Sequence, residues 1–167
     1  MSNALERLNA MQPAEAEGEL ISCCHSTRWA RAVAGGRPFA TVGELVWAGR
    51  EEVAALSWED VTAALEAHPR IGARLGGAGR EATWSRREQV GVDAADAPLL
   101  AALEAVNQEY EERFGRVLLI FASGLSPAEM MAAARARLAN DEETEREVVR
   151  TELGLITGLR LERLVGE

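Results

Sequence analysis

A chain of 167 residues that is 47% hydrophobic and 27% charged is long enough to bury one core and too apolar to be disordered. Its net charge of −9 argues against a nucleic-acid partner, because phosphate binding depends on cationic contacts that release counterions, and no apolar run approaches the roughly 20 residues needed to span a bilayer. All 18 cationic side chains are arginine; with no lysine present, Schiff-base chemistry, whether to pyridoxal phosphate or directly to a carbonyl substrate, is excluded.

The first residues, MSNALERLNAM, lack the basic-then-apolar layout of a signal segment, and the closing LVGE is no peroxisomal address, so the expected location is cytoplasmic. Cys23, Cys24 and His25 are consecutive. Three successive side chains on a helix point in three directions, so they are read as reduced thiols beside a histidine and not as a metal site. Gly35-Gly36-Arg37-Pro38-Phe39 reads as a turn. Thr41 precedes Glu44, and Ser57 precedes Asp60, each with a capping side chain ahead of an acid and an apolar run. The helix begun at Ser57 reaches His68-Pro69, where the proline forces the chain out of helix and leaves the imidazole at a helix-to-loop boundary. A helix C-terminus favours imidazolium, which suits acid–base work, but the same place suits a histidine that merely caps the last carbonyls.

Arg70 through Trp84 holds Gly72, Gly76, Gly77 and Gly79 but has neither P-loop spacing nor its lysine, and reads as a mobile connector. Ser85 and Glu88 form a capping box, which needs no function, although a serine and a carboxylate at a helix start also flank backbone donors that bind anions. Leu99, Leu103, Val106 and Tyr110 recur at helical spacing up to Gly115, with Asn107, Tyr110 and Arg113 as polar members of that helix. Val117-Leu118-Leu119-Ile120-Phe121 looks strand-like, but one strand makes no sheet, so a buried extended or helical segment is expected. Ser126-Pro127-Ala128-Glu129 starts a helix that should run to Leu138. The last helix, about Asp141 to Leu164, carries Val149, Leu153 and Ile156 on one stripe that Arg160 continues; a guanidinium there needs either a protein acid or a bound anion. Trp29, Trp47, Trp58 and Trp84 are read as core or loop anchors. The expectation is an all-α single domain over 1–167 with about eight to ten helices.

Taken together, Leu8-Asn9, Arg37-Pro38-Phe39, Ala67-His68-Pro69-Arg70-Ile71-Gly72, Ser85-Arg86-Arg87-Glu88-Gln89, Asn107 through Gly115, Ile120-Phe121-Ala122-Ser123-Gly124, Arg137-Leu138-Ala139-Asn140, Glu152 and Arg160-Leu161 resemble one family. That family is the 2-oxo-4-hydroxy-4-carboxy-5-ureidoimidazoline (OHCU) decarboxylases of urate degradation, which form S-allantoin. The resemblance runs from about residue 5 to residue 164 and departs from it at Leu118, where phenylalanine is more usual. It implies that His68 and Glu88 are the catalytic pair, and that Pro69, Ser85, Gln89 and Arg160 bind the substrate together with main-chain groups at Ile120 and Ala122. It also implies a homodimer that uses no metal and no organic cofactor. The expected substrate fits the missing lysine: its carboxylate-bearing carbon adjoins a ring C=N bond that accepts the electrons released with carbon dioxide. Two other classes keep the residue-level readings open: a non-catalytic helical scaffold, and a ureide hydrolase in which His68 and Glu88 activate water.

Overall fold

The computed structural model describes residues 3–68 and 97–166, and every regular element among them is a helix. In chain order these are α1 (Ala4–Ala10), α2 (Pro13–Cys24), α3 (Thr27–Gly35), α4 (Val42–Ala54), α5 (Trp58–Leu65), α6 (Ala97–Phe114), α7 (Pro127–Leu138) and α8 (Glu142–Gly166). The all-α expectation holds. The glycine-rich stretch Arg70 through Trp84 lies outside the described residues.

The helix starts are those the sequence marks. The Thr41 hydroxyl accepts the Glu44 N–H at 3.1 Å, Ser57 accepts that of Asp60 at 3.1 Å, and Ser126 accepts that of Glu129 at 3.1 Å. Each satisfies a donor that the first turn leaves without an intrahelical partner. Gly115 ends α6 as expected: its φ of 71° is the left-handed region, and its N–H returns to the Glu111 carbonyl at 2.8 Å.

The chain divides into two compact units, Met1–Ala64 with Leu153–Glu167, and Leu65–Glu152, so the division falls near the end of α5 and again inside α8. In the first unit α3 packs against both α2 and α4. Trp29 is wholly buried there, and its indole N–H donates to the Gly49 carbonyl at 2.9 Å. Gly49 is closely packed: a Cβ at that position would overlap the terminal methyl of the buried Leu161 side chain unless that side chain shifted. The turn after α3 is tied back to the first helix. Arg37 donates to the carbonyls of Ala34, Leu8 and Met11 at 2.8, 2.7 and 2.8 Å, and Asn9 and Phe39 exchange two hydrogen bonds of 2.8 and 2.9 Å. Two short segments of the family resemblance are thereby explained as one joint.

In the second unit α6 packs against α7 over a core that includes Leu103, Val106, Tyr110, Leu118 and Met130. Leu118, the departure from the family pattern, is 2% exposed and serves this core. The tryptophans need one correction. Trp29 is a core anchor, but Trp47 is 67% exposed on α4, because its position falls on the helix face opposite Leu45 and Gly49.

Candidate functional site

His68 lies just beyond α5, 8% exposed, with its backbone N–H returned to the Leu65 carbonyl at 3.0 Å. The helix-to-loop boundary that the sequence marks at His68 is therefore what the chain builds, and the residue is buried there. Pro69, Ser85, Glu88 and Gln89 lie outside the described residues.

Ile120 and Ala122 are each 7% exposed, within a stretch of the second unit that belongs to no helix. Backbone groups buried in irregular chain must find partners other than a helix or sheet ladder. Here side chains supply them. The Arg137 guanidinium donates to the Leu119 carbonyl at 2.6 Å, and a Glu152 carboxylate oxygen accepts the Phe121 N–H at 3.3 Å. The Ala122 carbonyl accepts the Leu125 N–H at 3.0 Å and so closes the turn that leads into α7. Burial pushes the Glu152 carboxyl above its ordinary range, against the smaller opposite pulls of the Phe121 N–H and Arg137.

Arg137 is itself held. Its Nε donates to Glu145 at 2.6 Å and its Nη2 also contacts that carboxylate. Glu145 is wholly buried and accepts two further bonds, from the Tyr110 hydroxyl at 2.7 Å and the Asn140 amide at 2.9 Å. Burial, then the bond to Glu145, pushes the Tyr110 hydroxyl up to about 12, so it stays a donor throughout the neutral range. Tyr110, Arg137 and Asn140 appear in the family resemblance, but nothing in it joins them, and Glu145 escaped attention altogether. Its signal was available: Glu145 stands four residues before Val149 on the same apolar stripe that Arg160 continues at the far end.

In the first unit Arg160 is 3% exposed on the α8 stripe, beyond buried Ile156. Burial pushes the neighbouring Cys24 thiol up to about 12, against the smaller lowering effects of the Thr157 hydroxyl and the Arg160 guanidinium. Such a thiol is protonated at neutral pH and is no nucleophile. Cys23 is buried as well, whereas His25 is exposed in a left-handed conformation (φ 53°) that ends α2. Asn107 is 3% exposed on α6. Among the described residues no group of His, Cys, Asp and Glu is gathered closely enough to hold a metal ion, and no helix is long and apolar enough to cross a membrane.

A family model described as OHCU decarboxylase matches residues 9–162. The chain is 29% identical over 157 residues to the 2-oxo-4-hydroxy-4-carboxy-5-ureidoimidazoline decarboxylase of Haloferax volcanii, covering 94% of this chain and 91% of that one. It is also 29% identical over 153 residues to the enzyme of the same name from Amia calva, covering 90% and 86%. Among solved structures it is similar to an OHCU decarboxylase crystallised in the presence of (S)-allantoin, with a TM-score of 0.76, 27% identity, and coverage of 89% of this chain and 98% of that one. The likeness to an (S)-allantoin synthase, at 18% identity and a TM-score of 0.72, concerns the fold; it covers 96% of this chain and 53% of that one. With the family model matching residues 9–162 and the helical fold shared, the chain belongs to the OHCU decarboxylase family.

Proposed function

We propose that this protein decarboxylates 2-oxo-4-hydroxy-4-carboxy-5-ureidoimidazoline to (S)-allantoin as a cofactor-independent carboxy-lyase of urate breakdown. The observation that carries the reading is the family match over residues 9–162, supported by the shared fold of the decarboxylase crystallised with (S)-allantoin. The bond that breaks joins the hydroxyl-bearing ring carbon to the carboxylate. Its electron pair moves into the adjacent C=N bond, carbon dioxide leaves, and protonation of the resulting enol-like system on one face sets the new stereocentre. Orientation and proton handling are then what the protein must contribute.

His68 and Glu88 are the proposed acid–base pair. Burial of His68 at a helix end supports this, since such a place lets a carboxylate neighbour set the imidazole's charge. Arg160, buried on the stripe that Val149, Leu153 and Ile156 begin, is assigned the orientation of the substrate through one of its oxygens or its ureido end. Ser85 adds a hydrogen bond, Pro69 and Gln89 border the substrate, and main-chain groups at Ile120 and Ala122 complete the set. A homodimeric, cytoplasmic protein goes with this reading, and light scattering of the purified chain reports its oligomeric state.

The test generates substrate in place from urate with urate oxidase and hydroxyisourate hydrolase, and follows optical rotation. Rapid build-up of dextrorotatory (S)-allantoin above the racemic background is the expected result. His68→Ala should lower kcat on the order of 100-fold or more, the scale of a lost general acid–base group. A folded wild-type protein that leaves the background unchanged would remove the reading.

A further inference from the structure

Two consecutive peptide planes between Leu119 and Phe121 are each gripped at one end by a charged side chain. The guanidinium of Arg137 takes the Leu119 carbonyl, and the carboxylate of Glu152 takes the Phe121 N–H. A trans peptide is planar, with its C=O and N–H pointing in opposite directions. The Ile120 N–H, which shares a plane with the Leu119 carbonyl, is therefore directed away from Arg137. The Ile120 carbonyl, which shares a plane with the Phe121 N–H, is directed away from Glu152. Each polar main-chain group of Ile120 is thus turned from the side chain that grips the peptide plane it shares.

The grips are fixed to helices at their other ends. Arg137 is on α7 and has no latitude, because Glu145 on α8 holds it while also receiving Tyr110 from α6 and Asn140 beyond α7. Glu152 is on α8 itself. Their charges also act through the peptides. A cation on a carbonyl makes the N–H of the same amide a better donor, and an anion on an N–H makes the same amide's carbonyl a better acceptor. Ile120 thus presents a strengthened donor beside a strengthened acceptor, which is the complement of an amide or ureide edge carrying one C=O and one N–H.

We infer that Arg137 and Glu152 are positioning residues of the decarboxylase, which turn the Ile120 N–H and C=O together as a donor–acceptor pair toward a ureide edge of the substrate. This rests on the decarboxylase reading above. It gives the enzyme a means of selecting ureides through its main chain, with the charged groups kept off the substrate.

Glu152 is the residue to test, since its loss leaves the Arg137–Glu145 pair in place. Glu152→Ala should lower kcat/KM on the order of 10–100-fold, the scale on which misplaced substrate costs rate, and should weaken (S)-allantoin binding in parallel. Glu152→Gln keeps an acceptor for the Phe121 N–H and should return most of that loss, a rescue that a merely packed side chain would not predict. A Glu152→Ala protein with wild-type melting and unchanged kcat/KM would overturn the inference. If that variant does not fold, amide exchange in the unmutated protein decides: (S)-allantoin should protect the Ile120 N–H and add little at Phe121, and no added protection at Ile120 overturns the inference. An inactive wild type removes the decarboxylase reading and this inference with it; an active wild type beside an indifferent Glu152→Ala removes the inference alone.

Discussion

Each unit of the molecule contains a piece of chain that leaves helix, and the two units secure it by different means. In the first, the joint after α3 is fastened by Arg37 and Asn9, half-buried side chains that reach neutral backbone carbonyls and one amide. In the second, the stretch around Ile120 is fastened by Arg137, whose guanidinium is 6% exposed and whose carboxylate partner is wholly buried. Losing Arg37 leaves part-buried neutral carbonyls without one donor and strands no charge. Water has no ready route to Glu145. The difference teaches where precision is demanded: a joint that only has to connect helices is tied at the surface, whereas one that has to hold two peptide planes in fixed directions is tied from inside, at a cost in desolvation that its hydrogen bonds must offset.

Removing each arginine is the sharpest way to break this comparison, and the largest effect is expected from Arg137→Met. It strands the buried Glu145 carboxylate with only Tyr110 and Asn140, and breaking a buried pair from one side costs about 3–5 kcal/mol. Arg37→Ala should cost about 1–2 kcal/mol, since it takes a donor from part-buried neutral carbonyls and strands no buried charge. Urea denaturation of the two variants measures both, and equal losses would dissolve the distinction between the joints. A smaller effect sharpens the other side of it. The first unit depends on close packing where Trp29 and Leu161 meet Gly49, so Gly49→Ala should overpack that contact and cost about 1–3 kcal/mol. A neutral Gly49→Ala would show that Leu161 has room to move.

The same contrast explains what could be read from the sequence. Helix starts were legible at Thr41, Ser57 and Ser126 because capping is local: a hydroxyl and a backbone N–H within one turn decide it. The burial of Arg160 was legible because an apolar stripe is periodic. The segment from Val117 to Phe121 was legible only as buried chain without a sheet; what satisfies its backbone comes from residues 137 and 152, and no local pattern encodes a bond across 18 or 31 positions. Trp47 was misread for a related reason: aromatic size argues for burial, but the helix face that carries it decides. The assigned partners of His68 were legible through family resemblance alone, since neither a capping box nor a histidine at a helix end distinguishes catalysis from structure.

The smallest effect concerns Glu152, where the two ways of tying a joint can be compared on one side chain. Its carboxyl is held above the ordinary value of 4.5 chiefly by burial, so between that value and the raised one the native protein binds more protons than the unfolded chain. The group's contribution to stability is therefore fully present below 4.5 and is lost as pH rises through the native value. Glu152→Gln keeps the acceptor for Phe121 without the charge, and it should not show this loss. Asp141 and Glu142 act in the opposite sense: the Thr144 backbone N–H lowers the first and Arg116 lowers the second, so their contributions fade in acid. Both are common to the two proteins and cancel in the difference. Denaturation midpoints measured across this range should show the glutamine variant gaining on wild type as pH rises from 4.5 to neutrality. A difference that stays flat, or that favours wild type at neutral pH, would mean that neighbouring groups compensate the ionised Glu152 carboxylate, and Glu152 would then belong with the buried ion network in its energetics as well as in its position.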